Sequence, residues 1–203
     1  GSKFSYRKVK NKSKKVYEAN ITVFNALKKT DYDSKGKFFL ERYVSAHSIM
    51  ISFEGIPAIY FNSLFGKSND EAKYIITGNN RDVNRYKWNY KNISKKLSNK
   101  NSKQSIFFQK ISNLLSIRRK QKAFHPNASR HNINLGSKIF SFKRISINKK
   151  QTVICITNLS SKIQRANLNK IYHNWNNLIG SKIEIKNKLL ILKPFETIWL
   201  SNK

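Results

Sequence analysis

The sequence predicts an α/β segment followed by a small all-β module, with the change near residue 125. Three observations carry this. The run Ile56-Pro57-Ala58-Ile59-Tyr60-Phe61 is apolar on both faces and closed by Asn62-Ser63, the pattern of a strand buried on both sides in a parallel sheet covered by helices. Stretches of helical period lie on both sides of that run. Beyond His125-Pro126-Asn127 the pattern changes to short β-type runs separated by turn residues, which reads as a sandwich.

Taken in order, residues 1–15 are polar and basic with little periodicity and read as a loop or exposed end. Ile21, Phe24 and Leu27 recur at helical spacing over Asn20 to Lys29. A second helix is expected from Lys37 to about Ile49, with Phe38, Tyr43, Ala46, His47 and Met50 on one buried stripe. Pro57 can open the strand that follows but cannot sit centrally in it. Residues 62–104, rich in Asn, Ser, Lys and Gly, read as a long loop excursion with short helical pieces. Ser105 to Lys122 is an amphipathic helix with Ile106, Phe107, Ile111, Leu114, Leu115 and Ile117 on its apolar face. Arg118, Arg119 and Lys120 suit the negative end of its dipole, and Pro126 stops it. The expected strands are Ile139–Arg144, Thr152–Thr157, Lys182–Ile185, Lys188–Leu192 and Thr197–Leu200.

The chain has 203 residues, 41 Lys+Arg, 10 Asp+Glu and a formal charge of +31, a balance that suggests nucleic acid. It also holds 39% hydrophobic and 12% aromatic residues, enough for a packed core rather than a disordered basic tail. The 32 Lys, 25 Asn and 24 Ile are residues that A/T-rich codons specify. The lysines are spread over nearly the whole chain, whereas a phosphate-tracking surface concentrates them on one face. Composition drift is therefore preferred to a basic nucleic-acid-binding module, which stands as the alternative. No apolar run approaches a membrane span, and no secretory leader is visible. The lone Cys155 provides no internal disulfide, and the expected compartment is reducing and cytoplasmic.

Metal and nucleophile signatures are absent from the sequence. His47, His125, His131 and His173 stand alone, and Cys155 sits in an apolar strand without a neighbouring base, so packing roles are expected for them. The scattered glycines form no phosphate-binding loop.

Three stretches stand out: Tyr17-Glu18-Ala19-Asn20 before Phe24-Asn25-Ala26-Leu27; Gly55-Ile56-Pro57-Ala58-Ile59-Tyr60 running on to Gly66-Lys67-Ser68-Asn69-Asp70; and Arg81-Asp82-Val83-Asn84-Arg85. In this order and at this spacing they resemble the C-terminal part of the sucrose phosphorylase group of glycoside hydrolase family 13, the α-amylase superfamily. There a Y-E/Q-x-N segment precedes a helix, a G-[VI]-P-x-[VI]-Y strand forms the eighth barrel strand, and a G-x-x-N-D loop and an R-D-[IV]-N-R segment follow. Leu114-Leu115-Ser116-Ile117-Arg118-Arg119, Ala123-Phe124 and the closing Pro194-Phe195…Trp199-Leu200 also match, so the resemblance covers essentially the whole chain.

The resemblance implies the C-terminal portion of a TIM (β/α)8 barrel, its last strand and flanking helices, in residues 1–125, and an all-β C-terminal domain in residues 126–203. It implies a retaining enzyme that phosphorolyses an α-glucoside with inorganic phosphate and no metal or organic cofactor. The family's three catalytic carboxylates lie on earlier strands, and this sequence has no F-x-x-x-H-D or G-x-R-x-D segment. The chain alone is accordingly expected to be inactive, with the N-terminal part of the barrel as a possible partner.

Substrate-binding positions do carry over by resemblance. Arg81 matches the arginine that, with an upstream aspartate, holds the glucosyl hydroxyls, for which a planar guanidinium fork is suited. Arg85 reads as its structural companion, pairing Asp82 or Asp70. Tyr17 and Glu18 match the acceptor loop after the seventh strand, and Y-E-x-N is closer to the branch acting on glucosylglycerate or sucrose phosphate. Against these stand ordinary surface charges for the arginines and packing before a helix for Tyr17.

Overall fold

A computed structural model of the protein describes residues 2–8, 13–168, 175–180, 183–186 and 189–203. His173 and the first residues of two expected strands, Lys182 and Lys188, lie outside them. Backbone proximity divides the chain into two units, Gly1–Thr30 with Ile59–Lys110, and Asp31–Ala58 with Ile111–Lys203. No helix among the described residues is long and apolar enough to cross a membrane.

The first unit begins with a two-stranded antiparallel ribbon, β1 (Lys3–Lys8) and β2 (Lys14–Asn20), where a loop was expected. Most of its side chains are exposed, so there is no apolar alternation for sequence reading to detect. Thr22 caps α1 (Val23–Lys28), its hydroxyl accepting from the Asn25 N–H. The 62–104 excursion holds α3 (Phe61–Leu64), α4 (Glu71–Thr77), a 3₁₀ turn (Asn80–Asn84) and α5 (Tyr90–Ser98). These short pieces close around an aromatic cluster. Phe65 stacks on Phe108 and meets Trp88 edge-on, and Phe24 meets Phe107 edge-on. Gly66 is required here: its φ is +56°, and a Cβ would lie 2.7 Å from the Phe107 ring.

The run Ile56–Tyr60 is not a paired strand. It is extended but without ladder partners, and Ile56 is 85% exposed. The pattern that predicts burial on both faces is present, but a parallel strand is buried only when neighbouring strands flank it, and among the described residues no strand pairs with it.

The second unit is built on α2 (Phe39–Ser52) and the β-module. Tyr43, His47 and Ile51 are buried along α2 together with Arg42, Ser45, Ser48 and Ser52. The expected stripe is thus corrected at Met50, which is exposed, and at Phe38 and Ala46, which are half-buried. Burial of small serines is tolerated because their hydroxyls bond back to the helix, Ser48 to the Val44 carbonyl (2.8 Å) and Ser52 to the Ser48 carbonyl (2.7 Å). α6 (Lys103–Lys120) sends its C-terminal turns into this unit, with Ile111 and Leu114 buried.

The β-module has a five-stranded antiparallel sheet in the order β3 (Ser129–Asn132), β4 (Ile139–Ile145), β5 (Thr152–Asn158), β10 (Thr197–Ser201), β7 (Asn176–Asn177). A second sheet runs β6 (Gln164–Asn167), β9 (Leu189–Leu192), β8 (Ile185–Lys186). Ile154, Ile156, Ile198 and Leu200 of the first share one core with Ala166, Leu190 and Leu192 of the second, as face-to-face packing requires. Cys155 is buried within β5, and burial pushes its thiol up to about 12, so it behaves as a small apolar residue.

Charged side chains hold both ends of α2, a local one at the start and two distant ones at the end. At the start, Asp33 accepts from the Lys37 and Phe38 N–H groups (2.8 and 3.0 Å) and from Arg42 (2.7 Å). At the end, Arg118 donates to the Ile51, Phe53 and Gly55 carbonyls, and Arg144 donates to the carbonyls of Ser52 (2.7 Å), His125 (2.8 Å) and Ala128 (3.1 Å).

Arg144→Leu strands the Ser52 and Ala128 carbonyls, while the His125 carbonyl keeps the Ala128 N–H (3.0 Å), and should lower unfolding stability in urea by about 2 kcal/mol or more, since each buried orphan costs ~1–3 kcal/mol; a loss below about 0.5 kcal/mol would contradict the capping role. The hydrogen bond from Arg42, then that from the Phe38 N–H, holds Asp33 at about 2, below its ordinary 3.8. Because the folded value is depressed, its contribution is complete above the ordinary value and is lost as pH falls from there through about 2. Asp33→Asn should flatten the acid limb of a stability-versus-pH curve over that window.

Candidate functional site

The first unit brings the motif residues together. Asn20, almost fully buried at the end of β2, donates to the Lys3 carbonyl (3.2 Å) and the Ser5 hydroxyl (3.1 Å), fixing the base of the ribbon. Two residues on, the Asn69 side-chain carbonyl accepts from both the Thr22 N–H (2.9 Å) and hydroxyl (3.0 Å), while the Asn69 N–H donates to the Asn25 side chain (2.8 Å). This reciprocal clamp ties the start of α1 to the G-K-S-N-D loop.

That loop positions the next motif. Asp70 accepts from the Lys73 N–H (3.2 Å) and so caps α4, and its own N–H donates to the carbonyl of buried Val83 (2.8 Å). Gly78, at φ +65°, ends α4 in the left-handed conformation. Asn79 then caps the 3₁₀ turn that carries Arg81, Asp82 and Val83. Asn80 donates to the Phe4 carbonyl (3.0 Å), which sets this turn against the ribbon.

With the backbone fixed in this way, Arg81 Nε donates to Glu18 Oε2 at 3.2 Å, linking positions 63 residues apart. Both side chains remain partly exposed, so the ion pair is open to solvent. Tyr17 lies at the register shift of the ribbon, where Ser5 pairs with Glu18 and Tyr6 with Val16. As the unpaired residue of a bulge it is re-aimed outward and is half exposed. The structure therefore brings Glu18 and Arg81 together, with Tyr17 adjacent to Glu18 in the chain and exposed. Arg85 is exposed and stands apart. Lys73, not Arg85, pairs with Asp82 (2.9 Å), and Asp70 is occupied as a cap. The hydrogen bond from Lys73, then that from Thr77, holds the Asp82 carboxyl below its ordinary range, with Arg85 adding only attraction at longer distance.

Sequence reasoning quoted Asn20 and Asn69 within motifs but gave them no role, and it passed over Asn80. The signal available was position: Asn two residues before a helix N-cap and Asn-Asp immediately before a second helix, both places where short amide side chains replace backbone partners. Removing the clamp with Asn69→Ala should cost about 1–2 kcal/mol in thermal or urea unfolding. It should also raise hydrogen exchange at the amides of residues 20–25; unchanged exchange there would contradict the clamp.

Among relatives, the chain is 29% identical over 187 residues to glucosylglycerate phosphorylase of Escherichia coli (strain K12), covering 91% of this chain and 32% of that protein. It is 28% identical over 187 residues to the enzyme of that name from Allomeiothermus silvanus, with 91% and 31% covered. It is also 28% identical over 127 residues to sucrose phosphorylase of Agrobacterium vitis, with 63% and 23% covered. The chain thus spans about a third of the length of the first two of these. No protein-family profile matches it. The fold is shared with AmyP in complex with maltotriose (TM-score 0.62, 18% identity, 81% of this chain and 35% of that one). It is shared as well with trehalose-6-phosphate hydrolase of Bacillus licheniformis (TM-score 0.60, 14% identity, 84% and 40%). These are TIM-barrel enzymes of glycoside hydrolase family 13. The chain is related, over most of its length, to the C-terminal region of the sucrose phosphorylase group of that family.

Proposed function

We propose that this chain supplies the acceptor-loop and sugar-orienting part of an α-glucoside phosphorylase, which converts an α-glucoside and inorganic phosphate to α-glucose 1-phosphate. The observation that carries the reading is the meeting of Glu18 of Y-E-A-N with Arg81 of R-D-V-N-R at 3.2 Å, in a chain whose matched relatives are phosphorylases. In the proposed arrangement Arg81 directs its guanidinium fork at vicinal glucosyl hydroxyls, where charged hydrogen bonds are stronger than neutral ones. Glu18 holds that fork in place and, with Tyr17, faces the departing acceptor or the incoming phosphate. Arg85, which stands apart from them on the same R-D-V-N-R segment, adds only positive charge to that segment. Glucosylglycerate is the favoured substrate, because two of the relatives matched over most of this chain carry that name; sucrose and sucrose phosphate are the comparison substrates.

The nucleophile and the acid/base carboxylates of such a reaction belong to the part of the relatives that this chain does not span. The reading therefore includes inactivity of the chain by itself, a location in the cytoplasm, no cofactor, and a division at 125/126 between barrel and β-domain residues. The purified chain should release no glucose 1-phosphate from glucosylglycerate or sucrose and phosphate above an Arg81→Ala control. Joined to the preceding region of the E. coli relative, it should do so, and Arg81→Ala should then lower kcat/KM roughly 10- to 100-fold, the worth of one or two charged hydrogen bonds. Glu18→Gln should change the ranking of acceptors more than kcat. Activity of the bare chain, or a completed enzyme indifferent to Arg81, would overturn the proposal.

A further inference from the structure

The ribbon of the first unit sets cation against cation. In its register Arg7 stands opposite Lys15 and Lys8 opposite Lys14, and like charges directly opposite each other weaken a strand pair. A two-stranded ribbon is marginal by itself, and all four of these residues are exposed. Residues 1–17 hold no Asp or Glu, and none of the four cations has an ion pair among the described residues.

Side chains alternate between the faces of a strand, so the two pairs lie on opposite faces. Ser5 and Arg7, with their partners Glu18 and Lys15, share one face; Tyr6 and Lys8, with Val16 and Lys14, share the other. On the first face the other cations are matched, Lys3 with Glu71 at 3.4 Å and Arg81 with Glu18 at 3.2 Å. The Arg7–Lys15 pair follows Ser5–Glu18 by two strand steps, about 7 Å, and is unmatched.

We propose that Arg7 and Lys15 bind the anionic group of the acceptor, a carboxylate or a phosphate, and so make the site selective for an acidic acceptor over a neutral one. This rests on the phosphorylase reading for the ligand, and on the ribbon alone for the anion. An anion between the guanidinium and the ammonium removes their repulsion and takes charged hydrogen bonds from both, while hydroxyls of the same molecule donate to the Glu18 carboxylate. A neutral acceptor gains the second contact but not the first. A polyanion fits less well, because Glu18 interrupts the cations of this face.

Two measurements test the assignment. On the chain by itself, glycerate or a fructose phosphate should shift the amide resonances of Arg7 and Lys15 on titration and fructose should not, and Arg7→Gln should weaken binding of the anion roughly 10-fold. Inorganic phosphate binding as tightly as either would make the pair a site for the phosphate co-substrate and overturn the acceptor assignment. In the enzyme completed with the preceding region of the E. coli relative, run from α-glucose 1-phosphate toward the glucoside, Arg7→Gln and Lys15→Gln should each lower the preference for the acidic acceptor over fructose roughly 10-fold, through KM rather than kcat. Each variant removes a repulsion and should melt no lower than the parent chain. Lys8→Gln, on the opposite face, should leave the preference where it is. Arg7-dependent anion binding in an enzyme without phosphorolysis would overturn the function and leave the anion site standing. Phosphorolysis with a preference indifferent to Arg7 and Lys15, an equal loss on Lys8→Gln, or Arg7-dependent binding of an oligonucleotide tighter than that of either acceptor would overturn the anion site.

Discussion

The second unit depends on the neutralisation of one helix at both ends. The last carbonyls of α2 have no partner within the helix and carry its negative pole. Arg118 and Arg144 supply donors to Ile51, Ser52, Phe53 and Gly55, and Arg144 also binds the chain at His125 and Ala128. Two buried guanidiniums with no carboxylate in hydrogen-bond contact among the described residues would ordinarily be costly. Here converging carbonyl dipoles provide the compensation. Asp33 mirrors this at the positive pole, where it takes two amide hydrogens and Arg42 together. With α2 fixed at both ends, Ser52 and the buried residues of β5 have a defined place to pack, and the orientation of the 125–128 turn, and with it the start of the β-module, is set by the same arginine.

The first unit is held differently. It has short helices and few buried apolar residues outside its aromatic cluster, and its connections are made by amides: Asn20 to the ribbon, Asn25 and Asn69 to each other's segments, Asn62 to the Tyr86 carbonyl and Trp88 indole, Asn80 to the Phe4 carbonyl. Such bonds fix direction closely but contribute modest net stability each. The same frame sets Glu18 against Arg81 at 3.2 Å without burying either side chain.

What could be read from sequence follows the same division. The α2, α6 and β-module segments were legible because half of each element faces a core, so that period 3.6 or 2 appears in the apolar residues. The ribbon β1–β2 was not, since Lys, Ser and Tyr cover both its faces. The apolar run Ile56–Tyr60 predicts a strand buried on both faces, but among the described residues no strand pairs with it and Ile56 is 85% exposed, so the run shows only that an apolar stretch without ladder partners does not make a strand by itself. Arg118 was read as a cation suited to its own helix terminus, whereas its donors go to carbonyls more than sixty positions earlier, a contact no local rule can reach. The amide clamps were hidden for a compositional reason: in a chain with 25 asparagines, a structural Asn looks like any other.

The charge of +31 takes its meaning from where the few acids sit. Glu18 meets Arg81, Asp33 meets Arg42, Glu54 meets Arg130 through both oxygens, Asp70 caps α4, Glu71 meets Lys3 and Asp82 meets Lys73. A surface selected to follow a polyanion would place its cations in an unbroken track and need no such matching. In this chain most of the scarce carboxylates stand at helix starts, motif turns and segment junctions, each with a cation or an amide donor. Loss of any of these acids would leave a specific cation or amide donor without its partner. The same logic makes the Glu18–Arg81 pair informative, because it is solvent-exposed and therefore contributes little to stability, yet both partners stand within the two motifs that the phosphorylase resemblance rests on.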